Sequence, residues 1–315
     1  MPVKVTAANF SVEVIADTVN LGHRISSVVL TYPRIILAEL NTHRVFSRNS
    51  ASSRAIPTRI MLETIKNSPF VPIKIPVPAP GMATTKFMED PSEILRQHQK
   101  HLEYTLAFVQ ECLDKGMPKS LANRYLEPFM MVSTIVTATE WANFLRLRRH
   151  KDAETHFTLL AEMTFRAFRA STPRLGVIHA PFALPDELED LESCYDNPAK
   201  LLESAAMKSV VARAARVSYL NHGTPKSDEA AMFDKLVSGS GFGHWSPHEH
   251  MAISPTHMPS HATKYNGGNF DWWLQLRQFF NGENLPGHVD EYLDAMPNAS
   301  VPETIADIPI TVTLT

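Results

Sequence analysis

Residues 9–31 alternate apolar and polar side chains and are rich in valine, isoleucine and threonine, and that period of two commits this part of the chain to strands. Pro33 follows Thr31 closely and suits the first turn of a helix, where its missing N–H is not needed. Ile36, Glu39, Leu40 and His43 then recur at helical spacing, which predicts a helix over residues 33–44 with Glu39 and His43 on one face. After Phe46 the apolar pattern stops. Ser47, Asn49, Ser50, Ser52 and Ser53 can present hydrogen-bonding groups, and Arg44, Arg48 and Arg54 supply charge, a composition suited to a loop that holds a phosphorylated ligand. A solvated polar turn is the plainer reading of the same residues.

Further along, proline recurs through residues 68–90, so this stretch reads as an extended excursion and not a long helix. A helix is expected from Pro91 to Lys115, with Ile94, His98, Leu102, Leu106 and Val109 at the right spacing. A second is expected over 138–169, where Phe157, Leu160, Ala161, Thr164, Phe165 and Phe168 form an apolar stripe that belongs to the core. Residues 172–198, with prolines and a cluster of acids, read as a linker. An alanine-rich helix follows over 199–217. The expected fold class is α+β, a mixed sheet with packed helices: residues 1–171 as a first segment, which carries the polar loop, and 199–315 as a second segment, packed into one domain with the first.

The bulk numbers narrow the function. A chain of 315 residues with 44% apolar content buries a substantial core, and a net charge of −3 offers no broad basic surface for polymeric nucleic acid or anionic membranes. Cys112 and Cys194 stand far apart outside any C-x-x-C context, which fits a reducing cytoplasm and argues against a disulfide framework. The first residues are unlike a signal peptide and no run approaches a membrane span, so a cytoplasmic location is expected. The glycines of Gly239–Gly243 fail the dinucleotide spacing at His244, and Pro247 stands where a helix should begin. His244, His248, His250, His257 and His261 raise a metal site, but their spacing is not a familiar zinc pattern and no H-E-x-x-H accompanies them; hydrogen-bonding roles are preferred, and no metal is expected.

The stretch Thr42–Arg54 also resembles a signature of the flavin-dependent thymidylate synthases, R-H-R-x-x-S-x-N-E-x-S-x-R, which it matches at His43, Arg44, Ser47, Asn49, Ser52 and Arg54. Thr42 and Ser50 depart from it, standing where the family has Arg and Glu. Ala215-Arg-Val-Ser-Tyr219 resembles the family's A-R-V-S-[FY], and Gly243–His250 its G-H-x-[ST]-P-F-E-H, with His248 in place of Phe. Asn123-Arg-Tyr-Leu-Glu-Pro128, Asn143-Phe-Leu-Arg-Leu-Arg148 and Ala153-Glu154 are similar to its remaining blocks. The order differs, since the last two motifs come first in most of the family. This chain reads as circularly permuted, an order similar to that of bacteriophage members, and permutation is tolerable when termini are close and at the surface.

The resemblance implies one-carbon transfer from methylenetetrahydrofolate to C5 of a pyrimidine deoxynucleotide, dUMP to dTMP, with FAD as cofactor and NADPH as reductant. It also implies a homotetramer with sites shared between subunits. By matching position it makes His43, Arg44, Asn143, Ser218, Ser246 and Glu249 flavin-site candidates, and Glu39, Ser50, Ser52, Arg54, Arg124 and Arg148 nucleotide-site candidates. Arg148, facing the pyrimidine, and His244, on the folate side of the flavin, are the catalytic candidates. Glu39 stands where the family has Gln, Thr139 where it has Arg and Glu154 where it has Gln. A carboxylate at Glu39 could accept a bond from a cytosine amino group, so hydroxymethylation of dCMP or dUMP is the alternative activity. A non-catalytic nucleotide-binding protein and a zinc hydrolase are rivals from other classes.

Overall fold

The computed structural model describes residues 3–78, 86–219, 228–238, 244–255 and 268–280. Met1–Phe280 form one compact unit and Asn281–Thr315 a second, which lies outside the described residues. The fold is α+β. The alternating N-terminal run forms β1 (Val3–Ala7), β2 (Phe10–Asn20) and β3 (His23–Pro33), an antiparallel meander with a bulge between Val14 and Ala16. Two further strands extend it, β4 (Ser47–Ser50) and β5 (Met131–Ala138), in spatial order β1-β2-β3-β5-β4.

β5 was not expected as a strand and β4 was expected as a loop. β5 lies between β3 and β4, with Val29 opposite Ile135 on one side and Asn49 opposite Ile135 on the other. Its Val-Ser-Thr-Ile-Val-Thr content is that of a strand buried on both faces. The helix expected over 33–44 is cut to a 3₁₀ turn, Arg34–Ile36, and α1 (Leu37–Leu40). The guanidinium of Arg48 explains where it stops: Nη1 donates to the carbonyls of Leu40, Asn41 and His43 at 3.2, 3.0 and 2.9 Å, oxygens that a longer helix would have used itself.

Past β4 come α2 (Thr58–Asn67), the proline-rich excursion, α3 (Ser92–Asp114) and α4 (Lys119–Ala122), and these helices pack Ile65, Leu102, Val109 and Leu126 into a satellite core. The helix expected over 138–169 is two, α5 (Ala142–Arg148) and α6 (Thr155–Ala170). Glu154 separates them, because its carboxylate accepts from the Phe157 N–H at 2.8 Å and so starts a new helix. Phe157, Leu160, Ala161 and Thr164 are buried as expected, while Phe165 and Phe168 are half-buried.

Residues 172–198 are structured rather than a linker: β6 (Arg174–Leu175) pairs parallel with β2, β7 (Ile178–His179) starts a small second sheet, and α7 is Pro185–Ser193. The acids that suggested a linker are ion-pair partners, Glu192 of Arg174 and Glu187 of Arg213. The alanine-rich helix is also divided, into α8 (Pro198–Glu203) and α9 (Ala205–Arg216), because the Ser204 hydroxyl accepts from the Ala206 and Met207 N–H groups. Then come α10 (Glu229–Ser238), β8 (Ala252–Ile253) and β9 (Leu274–Gln275), the last two pairing in the order β7-β8-β9. Among the described residues no helix is long and apolar enough to cross a membrane.

The two sheets meet through a buried polar chain. Thr18 Oγ1 bonds His179 Nδ1 at 2.9 Å, His179 Nε2 bonds Ser27 Oγ at 2.7 Å, Ser27 bonds Thr137 Oγ1 at 2.5 Å, and Thr137 bonds His250 Nδ1 at 2.9 Å. Burial pushes the His179 and His250 imidazoles down to about 3, so both are neutral in the folded protein. An unfolded histidine titrates near its ordinary value, so protons bind the unfolded chain first as pH falls below about 6.5. Stability should therefore be full above that pH and decline below it, by about 2 kcal/mol per histidine at pH 5. Denaturant midpoints at pH 7.5 and 5.0 check this, and replacing His250 with Gln should lower the slope by about one proton. An unchanged slope in that variant would show that His250 is not held neutral.

Candidate active site

The turn after α1 carries His43 and Arg44, and α5 carries Asn143 and Arg148; together they line a cleft of about 280 Å³ floored by Phe144. His43 is buried against Phe46, Phe144 and Phe157, at ring distances of 5.4, 5.2 and 6.2 Å. Burial, and then the charges of Arg148 and Arg48, push its imidazole down to about 4. It is neutral, and Nε2 is its acceptor nitrogen, taking a bond from Arg148 Nε at 3.0 Å.

Arg148 is held from four directions. Besides His43, Nη1 donates to Glu39 Oε2 at 3.2 Å, Nη2 donates to the Glu39 carbonyl at 3.4 Å and to Thr42 Oγ1 at 3.0 Å, and the guanidinium lies 4.6 Å over the Phe157 ring. Of the five N–H groups of an arginine, one on Nη1 is left for a ligand. Glu39, raised in pKa by partial burial, is thus the ion-pair partner of Arg148. Arg44 and Asn143 differ: both are exposed, and neither has a hydrogen bond or ion pair among the described residues.

A second cleft, of about 460 Å³, uses the preceding residues of the same turn and is lined by Arg34, Asn41, Arg124 and Glu127. Arg124 is exposed and has no hydrogen bond or ion pair among the described residues, while Arg34 pairs with Glu127 at 3.2 Å and Ser53 donates to the same carboxylate oxygen at 2.9 Å. Sequence reading missed Arg34. No periodicity or motif marks it, and only the return of β3 beside the Asn123–Phe129 turn brings it to Arg124.

The remaining candidates serve the scaffold or lie apart. Ser50 bonds Thr134 Oγ1 on β5 at 2.9 Å, the Ser52 N–H donates to the Ser218 carbonyl, and Ser218 Oγ donates to Asn49 Oδ1 at 3.1 Å. Arg54 is exposed and lines neither cleft. Ser246 opens the 3₁₀ turn Ser246–His250, in which Glu249 pairs with Arg277, and Gln275 Nε2 links the Glu249 carbonyl to Ser47 Oγ. His244 is exposed, its N–H donating to the Leu236 carbonyl. Within one chain His43, Arg44, Asn143 and Arg148 therefore share a cleft, while Ser218, Ser246, Glu249 and His244 do not line it. Thr139, at the other end of α5, accepts from the Asp271 N–H. His257, His261 and Gly239–Gly243 lie outside the described residues. Among the described residues no group of three His, Cys, Asp or Glu is placed to hold a metal, and Cys112 and Cys194 are buried free thiols away from both clefts.

A site for a drug-sized ligand runs to about 300–1,000 Å³, so the first cleft has room for only one part of a dinucleotide. Its lining offers a guanidinium and an amide suited to phosphate or carbonyl oxygens, beside a neutral imidazole, a phenyl ring and the carboxylate of Glu140.

His248 departs from the expected Phe and keeps the aromatic surroundings of one, packed against Phe233, Trp245 and Phe280 at 5.4, 5.3 and 4.8 Å. Among the described residues neither ring nitrogen has a hydrogen-bond partner, and burial pushes the imidazole down to about 4. A buried polar group left unpaired costs about 1–3 kcal/mol, so His248→Phe should raise the unfolding free energy by that order and move the denaturant midpoint up. A lower midpoint would show that the imidazole makes a contact worth more than its desolvation.

Residues 22–174, just under half of the chain, match the family model described as thymidylate synthase complementing protein. The matched span holds His43, Arg44, Asn143 and Arg148, and ends before Ala215–Tyr219 and Gly243–His250. Among solved structures, the chain is similar to a UMP/dUMP methylase, PolB, from Streptomyces cacaoi, bound with 5-Br dUMP, at 18% identity over 46% of this chain and 67% of that one, with a TM-score of 0.39. No curated protein matches the chain in sequence.

Proposed function

Because residues 22–174 place this chain in the thymidylate synthase complementing protein family, that of the flavin-dependent thymidylate synthases, we propose that it transfers a one-carbon unit from methylenetetrahydrofolate to C5 of a pyrimidine deoxynucleotide, converting dUMP to dTMP. The observation that carries this reading is the convergence of His43, Arg44, Asn143 and Arg148, from distant parts of the chain, on one cleft. FAD, kept reduced by NADPH, supplies the hydride when bound. Arg44 and Asn143 would hold it, and the neutral His43 ring and Phe144 would flank it.

The nucleotide phosphate belongs in the second cleft, where Arg34 and Arg124 present guanidinium groups suited to a dianion. Arg148 lines the first cleft and is bonded to Glu39 and Thr42, neighbours in sequence of Ala38 and Asn41, which line the second; its one spare Nη1 hydrogen can bond a pyrimidine carbonyl and stabilise negative charge as C5 becomes nucleophilic. His43 and Glu39 keep the guanidinium in place for this. Neither thiol is near, so activation runs through charge stabilisation and not covalent attack. Ser218, Ser246, Glu249 and His244 would reach the flavin from another subunit of a homotetramer, which accounts for their distance from the His43 cleft. Incubation with FAD, NADPH, methylenetetrahydrofolate and dUMP or dCMP, followed by mass measurement of the nucleotide, tests the reading; a hydroxymethylated product would replace it with the alternative activity.

Purified protein should bind FAD, and Arg44→Ala should weaken that binding about tenfold while leaving Tm within a degree or so, since Arg44 makes no contact that folding needs. A folded protein that takes up no FAD would point to a non-catalytic nucleotide binder.

Because Glu39 is occupied with Arg148, Glu39→Gln should lower kcat/KM for dUMP and dCMP alike, keeping their ratio within about threefold. A shift of tenfold or more toward dUMP would mean that Glu39 reads the cytosine amino group.

A further inference from the structure

Helix α5 separates two clefts. Asn143 and Leu147 face the one described above, and Ala142 and Leu145 face another of about 340 Å³, bounded across the way by β3 and α6. Its walls are aromatic: Trp141, Phe165 and Phe168 line it, and Phe165 and Phe168 are only half-buried. Its charges are of one sign. Arg24 and Arg169 line it and no acidic residue does; Arg24 lies 5.6 Å from the Phe168 ring centre and Arg169 5.8 Å from that of Phe165, a ring that also carries Arg149, itself paired with Glu162, at 3.7 Å.

The capacity left on the two guanidinium groups is donor only, while the Ser26 hydroxyl, which spends its hydrogen on Asp17, keeps acceptor capacity in a buried position. Arg169 makes no hydrogen bond or ion pair among the described residues. Arg24 spends Nε and Nη2 on Asp17, at 2.8 and 2.6 Å, which leaves Nη1 to donate elsewhere. Thr139 Oγ1 accepts from the Asp271 N–H at 3.0 Å and keeps its own hydroxyl hydrogen. Of the two acids tied to lining residues, Asp17 is paired with Arg24 and accepts from Ser26 and Ser171, and Asp271, whose N–H donates to Thr139, lies 3.6 Å from His23 Nδ1. A cleft with three aromatic rings and two guanidinium groups that have donors to spare suits a flat ring at its walls and an anion at its rim.

We infer that this cleft is a binding site for a planar aromatic anion, a ring carrying a carboxylate, sulfonate or phosphate, separate from the proposed catalytic cleft and independent of the activity assigned to it. Arg169 is the anion's main partner, Arg24 Nη1 its second, and Phe165 and Phe168 stack on the ring. One residue along from Asp271, Trp272 is held at φ 68°, a backbone region in which a bulky side chain is strained, and stacks on His23 at 4.6 Å beside this rim.

The test is calorimetric titration of the full chain with 2-naphthoate and with its neutral counterpart 2-naphthylmethanol. The expected result is one naphthoate per chain, bound at least tenfold more tightly than the alcohol. Arg169→Gln should reduce naphthoate affinity about tenfold and leave the alcohol unchanged, and Phe165→Leu should weaken both. Arg169 is exposed, so its variant should fold with an unaltered Tm. Equal binding of acid and alcohol, or naphthoate binding that survives Arg169→Gln but is lost in Arg44→Ala, would overturn the inference. So would a chain that binds no naphthoate as an oligomer, which would make this face a contact between copies.

Discussion

Strand β5 is hydrogen-bonded along both edges, to β3 and to β4, and its hydroxyls point into places that water does not reach. A buried hydroxyl without a partner costs more than most single contacts return, so every neighbour of this strand must offer a matching polar atom. Thr134 is answered by Tyr32 and Ser50, and Thr137 by Ser27 and His250. These partners come from both ends of the chain. Meeting that demand draws the His250 turn onto the sheet and seats Ser47–Ser50 as the edge strand, and the position of His43 and Arg44, just before that edge, follows.

The site inherits this rigidity. Arg48 ties off the carbonyls at the end of α1, and Arg148 reaches from α5 to His43, Thr42 and Glu39, so the turn between α1 and β4 is fixed from both sides. The neutral imidazole of His43 is part of the arrangement, since a protonated ring could not accept from Arg148 Nε. A second anchor lies in α9, where Arg213 is buried with all its nitrogens bonded to Glu187, Glu229 and the Phe182 carbonyl, holding α7 and α10 to the helix that leads into Ser218. Breaking one arm of such a buried cluster leaves the other charges uncompensated.

Much of this was legible before any coordinates. The period of two in residues 9–31, the spacing of apolar residues in 91–115 and the stripe in α6 each report a local pattern that the fold keeps. The residues of the His43 cleft were legible as well, through their resemblance to a known signature. The errors share a cause. Ser47-Arg-Asn-Ser has the composition of a loop, and Arg149–Glu154 interrupts a helix without glycine or proline, so neither shows its conformation in local propensity. The acids at 187 and 192 looked solvated because their arginine partners, Arg213 and Arg174, are separated from them by loops or helices.

By itself, then, the sequence determined the elements whose hydrophobic period is strong and the motif residues that its resemblance to a known signature picks out in 22–174, because periodicity and motif spacing are properties of neighbours along the chain. Tertiary structure decided the rest. It made a polar loop into an edge strand, turned Glu39 toward Arg148, brought Arg34 beside Arg124 and left Arg44 and Asn143 without protein partners. Each of these outcomes depends on whether a buried polar group finds its complement in a segment far away in sequence, and that is settled only when the chain has folded.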